Sequence, residues 1–237
     1  MREYAYDLHI HSALSPCADD DMTPNNIAGM AAIKGLDIIA VTDHNSCGNV
    51  RAVAECAKQY NVIVVPGMEV ETAEEVHVVC YFPNLDAAFE MQKIVAAKMM
   101  GIKNNPKTFG NQFYMDENDE ITEIEENLLV SATMMSFQEV FETVKKLDSI
   151  AVPAHIDRSS YSVISNLGFM PPDVEICTVE ITAQNLEKWK EDYSEFQIIT
   201  NSDAHSLGNI SEKENYLCIN DKKNEYLTEF FVKNFLL

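Results

Sequence analysis

Short apolar runs separated by helix-length stretches organise the first third of the chain. Residues 5–10 read as a strand, and residues 24–34 as a helix with Thr23 as N-cap and Pro24 at its first position. The next strand, 37–41, carries Ile38-Ile39-Ala40-Val41, apolar on both faces as in a buried parallel strand. A helix over 50–60 and strands over 62–65 and 76–82 follow. Strands alternating with helices of this length predict βαβ units and a parallel sheet.

The rhythm breaks after a helix over 85–100. Residues 101–126 are polar and carry Asn104-Asn105-Pro106, Phe109-Gly110-Asn111 and Asp116-Glu117-Asn118-Asp119 turn signals. Inside them, 112–115 and 120–124 read as an inserted β-hairpin, a lid or an oligomer contact. A helix over 136–147, opened by a capping box of Ser136 and Glu139, restores order. Strands at 150–153, 178–181 and 197–200 follow, with a loop, a short helix and a further helix between them. A strand at 216–219 and a final helix close the chain. With no internal repeat, the expectation is one domain over 1–237 with an insertion at 101–126.

Composition narrows the class. Apolar residues make up 46% of 237, enough for a sizeable core. No run of about 18 apolar residues suggests a membrane span, and the N-terminal residues lack a signal-peptide pattern, so a cytoplasmic protein is expected. Six cysteines (17, 47, 56, 80, 177 and 218) show no CxxC pairing and read as free thiols, mostly in the core. Seventeen Lys and Arg against 38 Asp and Glu give a formal charge of −21. Such a surface repels a phosphate backbone, so long nucleic acid is not expected as a partner. A small anionic substrate stays compatible, because bound metals would supply local positive charge.

The six histidines, 9, 11, 44, 77, 155 and 205, avoid the predicted helices. Five fall at or just past the C-terminal end of a predicted strand, where parallel α/β sheets and barrels build their sites, and His77 falls within a strand. His9 and His11 are two apart on a strand and point to one face, so both can reach one metal. Asp43-His44, Glu69 and Asp203-Ala204-His205 add carboxylates beside imidazoles, a donor mixture suited to zinc, manganese or iron.

Asp7-Leu8-His9-Ile10-His11-Ser12, Thr42-Asp43-His44-Asn45, Pro66-Gly67-Met68-Glu69, Pro153-Ala154-His155 and Ser202-Asp203-Ala204-His205 resemble, in order, the motifs of the PHP (polymerase and histidinol phosphatase) domain. The resemblance implies an α/β fold, a distorted (β/α)7 barrel, with two or three divalent metals at the strand C-termini. It makes His9, His11, Glu69 and Asp203 similar to the first metal's ligands. Glu69 would bridge to a second metal completed by His77 and His155. His44 and His205 would hold a third, with an aspartate from the loop after His11. Here the sequence departs from the family: Ser15-Pro16-Cys17-Ala18-Asp19-Asp20-Asp21 replaces a shorter motif. Counting back from the Thr23-Pro24 helix start favours Asp19. Spacing from His11 favours Cys17, and Asp20 stays open.

Metals so held acidify water and offset phosphate charge, so no separate nucleophile is required. The related amidohydrolases carry a bridging lysine on a middle strand; the predicted strands 37–41, 62–65, 76–82, 150–153, 178–181 and 197–200 have none. Arg158, three residues past His155, is either a bidentate phosphate grip or a surface arginine paired with a carboxylate. Asp43 either orients a ligand or assists proton transfer. Glu180 reads as structural. The leading expectation is a phosphoesterase for a small phosphorylated molecule, such as a nucleotide, a nucleoside bisphosphate or histidinol phosphate. A nuclease on short oligonucleotides and a non-catalytic metal-binding domain are the alternatives, and a homo-oligomer is compatible. Specificity is expected to lie in loops 101–126 and 156–172.

Overall fold

A computed structural model describes residues 2–219; the final helix expected from the sequence lies outside the described residues. The first strand, β1 (Arg2–Ile10), leads to α1 (Pro24–Lys34), β2 (Ile38–Val41) and α2 (Val50–Ala57), which runs on into a 3-10 turn, Lys58–Tyr60. Next come β3 (Ile63–Glu71), β4 (His77–Tyr81) and α3 (Leu85–Lys98). Residues 101–126 hold α4 (Pro106–Phe109), β5 (Phe113–Met115) and β6 (Ile121–Ile124). The rest comprises α5 (Phe137–Lys146), β7 (Ile150–Pro153), α6 (Val163–Leu167), β8 (Thr178–Glu180), α7 (Leu186–Trp189), β9 (Gln197–Ile199) and β10 (Tyr216–Ile219). Thr23 caps α1 as expected, accepting from the Asn26 amide. Only half of the second expected cap forms: Ser136 accepts from the Glu139 amide, while the Glu139 carboxylate reaches out to Lys98.

One six-stranded sheet in the order β10-β1-β2-β3-β4-β7 curls around a core, with β8 and β9 as a separate parallel pair. An isolated bridge between Ile10 and Ala204 brings the segment after β9 beside β1. This half-barrel corrects the expectation of parallel strands throughout. β1, β2 and β3 are parallel, but β4 runs antiparallel to both β3 and β7. Only residues 72–76 join β3 to β4. A parallel crossover needs about a dozen residues or more, so this link can only make a hairpin.

Side-chain alternation sorts the sheet into two apolar layers. Leu8, Ile38, Val65, Val79, Tyr81, Val152 and Ile199 pack inside the curl. Ile39, Val41, Val64, Met68, Val78 and Cys80 pack outward against α1, α2, α3 and α5. On β3 the odd positions face inward, which turns Glu69 toward the interior; on β4 the same parity turns His77 there. On β1 the parity switches. Tyr4, Tyr6 and Leu8 face inward, yet Ala5 and Ile10 both belong to the outer layer. The pairing of β1 with β2 slips between Asp7 and Ile10. A bulge of this kind re-aims the following side chains, so His9 and His11 point into the mouth of the curl.

Residues 113–124 form an antiparallel pair that lies against the loop after β1. Phe113 donates its amide to the Ala13 carbonyl at 2.9 Å. Buried Asn49 ties Ser12, Phe113 and Met115 together, and Asn111 donates to Asp20. All six cysteines are free; Cys47, Cys56 and Cys80 are buried, but Cys17, Cys177 and Cys218 are exposed, so half rather than most lie in the core. Among the described residues no helix is long and apolar enough to cross a membrane.

Gly110 makes the tightest of these contacts. Its φ is +104°, and a Cβ there would lie 2.0 Å from the Pro16 carbonyl oxygen. Gly110→Ala is expected to cost about 1–3 kcal/mol or more, lowering Tm by roughly 2–12 °C in a scanning calorimeter. Gly101→Ala, at φ +70° but with nothing within 4 Å, is the control and should fall at the low end. Equal effects would mean that residues 101–126 do not press on the loop after β1.

Candidate metal centre

Glu69 lies at the middle of the mouth, 1% exposed, and imidazoles surround it. Its Oε1 lies 3.3 Å from His9 Nε2, 3.0 Å from His77 Nδ1 and 3.4 Å from His155 Nε2. Its Oε2 lies 3.3 Å from His11 Nε2 and 3.1 Å from His44 Nδ1. Asp203 Oδ1 approaches His11 Nε2 at 3.1 Å and His9 Nε2 at 3.3 Å. β4's reversal matters here, because His77 opens that strand opposite Glu71 and so reaches the same rim as the ends of the parallel strands.

The imidazoles are oriented from behind. Glu180 accepts from His9 Nδ1 at 3.0 and 3.1 Å. A carboxylate can only accept, so His9 carries a proton on Nδ1 and presents Nε2 to the centre. Glu180 also accepts from Asn201 Nδ2 at 2.7 Å and from the His155 amide at 3.1 Å. Ser15 Oγ donates to Asp43 at 2.7 Å, which leaves it to accept from His11 Nδ1 at 3.0 Å. His205 Nδ1 donates to the Asp203 carbonyl at 2.8 Å. Metal-ligating histidines almost always have such a partner on the second nitrogen, which fixes the tautomer.

Among the described residues, three groups of donor atoms lie within 4.8 Å of one another: His9, His11, Glu69 and Asp203; His44, Glu69 and His77; and His11, His44 and His205. Both Glu69 oxygens and His44 Nδ1 are buried without a hydrogen-bond partner, although each has the other's atoms close by. Lone pairs that converge without bonding one another fit cations placed between them. His155 Nδ1 is likewise unpartnered. His155 and Asp203 hold left-handed backbone, at φ 29° and 51°, an outlier class that clusters at functional sites.

Charge balance gives the same answer. Burial would raise the pKa of Glu69, but His77, His9 and His44 outweigh it and hold the carboxylate well below its usual range. Burial would lower His77, but Glu69 lifts it to about 9. His9 and His11 also rise against burial, through Glu180, Glu69 and Asp203. Burial drives His44 well below its ordinary value and, with His11 beside it, His205 down to about 4. The carboxylates therefore demand positive charge at the centre. Protons on some imidazoles answer it when nothing else does, and a divalent metal would displace them.

The sites expected from the sequence divide as follows. His9, His11, His44, Glu69, His77, Asp203 and His205 fall in the convergent groups, and His155 stands beside them on Glu69. The loop candidates do not join: Cys17, Asp19 and Asp20 are exposed, and Asp20 binds Asn111. The Asp19 amide donates to the His205 carbonyl at 2.8 Å, so its backbone borders the centre. Asp43 is fully buried and accepts from the Ser12 amide and hydroxyl and from Ser15, an anchor behind the centre. Arg158, 43% exposed, pairs through Nη1 with Asp203 Oδ2 at 2.6 Å. It is thus paired with a carboxylate, but at the rim of the centre. Glu180 has a larger part than its sequence reading allowed. A lone acid in the apolar strand Thr178-Val179-Glu180-Ile181 was the signal, since a buried carboxylate needs partners.

Residues 7–230 match the PHP domain, and the chain belongs to this family of metal-dependent phosphoester hydrolases. The endonuclease Q of Pyrococcus furiosus, a lesion-specific endonuclease, superposes with a TM-score of 0.69 at 19% identity over 98% of this chain and 56% of that one. Endonuclease Q in complex with a 27-mer duplex carrying an abasic lesion superposes at 0.61 and 19% identity, over 87% and 50%. A Bifidobacterium adolescentis protein assigned as a metal-dependent phosphoesterase superposes at 0.63 and 17% identity, over 94% and 96%. The 5'-3' exoribonuclease of Haemophilus influenzae is 27% identical over 101 residues, 39% of this chain and 36% of that protein. The chain thus spans about half the length of the endonuclease and covers little more than a third of the exoribonuclease.

The endonuclease complex corrects the exclusion of long nucleic acid and the restriction to small substrates: the same fold is found bound to duplex DNA. The physical error was to read a whole-chain charge as a local one. A net charge of −21 does not fix the potential at one site, where bound divalent cations would add local positive charge.

The Glu180 contact generates a direct expectation. Glu180→Gln keeps the shape but weakens the grip on His9 Nδ1, so metal affinity should fall about 10- to 100-fold. Competition with a chelating dye would measure it. Wild-type affinity would return Glu180 to a purely structural role.

Proposed function

We propose that this chain is a metal-dependent nuclease that hydrolyses phosphodiester bonds in a nucleic-acid strand, with a metal cluster on His9, His11, His44, Glu69, His77, His155, Asp203 and His205. The observation that carries the reading is the convergence of these ligands beside a polar cleft, in a fold shared with endonuclease Q. The centre is open on the Arg158 side to a polar cleft of about 590 Å³, walled by Arg158, Thr182, Asn185 and Ser202 and by the carboxylates Asp157, Asp203, Glu212 and Glu214. The likeness to endonuclease Q and to an exoribonuclease supports the same choice.

When bound, divalent metals there offset phosphate charge and acidify water. The chain's residues do the positioning. Glu69 holds donors on both of its oxygens at a fixed separation. Glu180 and the Asp43–Ser15 pair fix the tautomers of His9 and His11, so both Nε2 atoms face inward. Arg158 exchanges its Asp203 contact for a phosphate oxygen, and its planar fork sets the phosphate's orientation. Asp43, enclosed by Ser12 and Ser15, acts through His11 and does not touch substrate. Asp19 borders His205 and is the loop's candidate for the third metal.

The test is cleavage of end-labelled single-stranded and duplex oligonucleotides by protein reconstituted separately with manganese, zinc and iron, beside a panel of phosphomonoesters. Strand cleavage that a chelator abolishes is expected. Turnover of monoesters with intact strands would overturn the reading. Arg158→Ala should lose charge-assisted hydrogen bonds worth roughly 1.5–3 kcal/mol, or about 10- to 150-fold in kcat/KM, at unchanged metal content.

A further inference from the structure

The loop that leaves His155 carries a second exposed group beside Arg158. Tyr161 stacks its ring on the His77 imidazole, with centroids 4.9 Å apart and planes 25° from parallel. Its carbonyl accepts from the His77 amide at 3.0 Å, so the same residue grips the ligand strand by backbone and by ring. Yet Tyr161 is 47% exposed, although its ring stacks on His77. Its φ is +56°, a genuine outlier for a bulky residue. The turn is locked by Ser162, whose hydroxyl donates to the Arg158 carbonyl at 2.7 Å and which caps α6. Packing alone does not account for a strained backbone that holds an aromatic ring half in solvent.

The loop also has two ends with different chemistry. Arg158 reaches Asp203 on one side of the centre, and Tyr161 covers His77 on the other. A phosphate at the centre therefore has a guanidinium on one flank and a partly exposed aromatic ring on the other. Guanidinium plus aromatic face is the pairing that recognises a nucleotide, phosphate by charge and base by stacking, with tolerance for base identity because every base has a π-face.

We propose that Tyr161 is a base-stacking platform: its outer face takes the nucleobase adjoining the scissile phosphate, while its inner face rests on His77, which backbone pairing already holds in place. This rests on the nuclease reading and adds a requirement that the substrate carry a base at that position. Stacking sets affinity and register on the strand without reading sequence. Tyr161 is a specificity-determining residue, and the chemical step does not pass through it.

The test uses metal-reconstituted protein and short phosphorothioate-linked single strands, each with one 2-aminopurine moved along the sequence, and matching strands abasic at that position. Wild type should quench the probe at one position next to the cleaved bond. Tyr161→Ala should abolish that quenching and weaken binding of the base-bearing strand by roughly 5- to 150-fold. It should leave the abasic strand within about twofold and metal content unchanged. Tyr161→Phe and Tyr161→Trp should both restore quenching, since the ring and not the hydroxyl carries the effect. If Tyr161→Ala loses metal, or weakens base-bearing and abasic strands equally, the ring only positions His77 and the platform is wrong. If it changes neither strand, the platform is equally wrong. If wild type binds and cuts no strand at all, the nuclease reading fails first and takes the platform with it, a result distinct from the other two.

Discussion

The buried carboxylate of Glu69 is the constraint on which the rest of this structure depends. It is almost fully enclosed, has no hydrogen-bond partner on either oxygen, and has five imidazole nitrogens within 3.4 Å. An isolated carboxylate in such a place would cost several kcal/mol or would neutralise itself. Here the imidazoles hold its pKa down, so it stays charged and draws cations in. Each feature of the fold around it serves that demand. The bulge in β1 turns two histidines inward, the hairpin brings His77 back to the rim, and Gly67 lets β3 pass close to β2. A Cβ on Gly67 would lie 2.6 Å from the Thr42 side chain and 3.0 Å from the Val41 carbonyl oxygen, so only glycine lets the Pro66-Gly67-Met68-Glu69 stretch deliver its carboxylate.

Much of this was legible in the sequence because it rests on local periodicity. The two-residue spacing of His9 and His11 and the histidines and acids after apolar runs are signals carried by adjacent residues. The features that escaped are set by pairing at long range. Pro66 and Gly67 read as the end of a strand, whereas β3 runs on through them to Glu71, because the hairpin with β4 supplies partners the sequence does not advertise. The direction of β4 followed from the shortness of residues 72–76, a signal outweighed by the regular alternation before it. Glu180 reads as structural from its place inside a strand; its partner His9 is 171 residues away in sequence. Asp19, favoured by counting back from the helix start, comes to the centre through its backbone, and its side chain is exposed.

Charge gave the clearest lesson. A net −21 describes the solvated surface, and long-range repulsion is screened within about 8 Å at physiological salt. On the nuclease reading the substrate meets the centre, where carboxylates converge with imidazoles in sets that fit metals and where an arginine stands on Asp203. Acidity overall and affinity for a polyanion locally are compatible, because the acidic groups at the centre are the means of collecting the cations.

The measurement that tests the account most directly is anomalous X-ray diffraction from crystals saturated in turn with manganese and zinc, collected at each metal's absorption edge. The account predicts at least two peaks that share Glu69, one against the oxygen facing His9, His77 and His155 and another against the oxygen facing His11 and His44. A saturated crystal with no peak at Glu69, its oxygens instead bonded to protonated imidazoles, would contradict it.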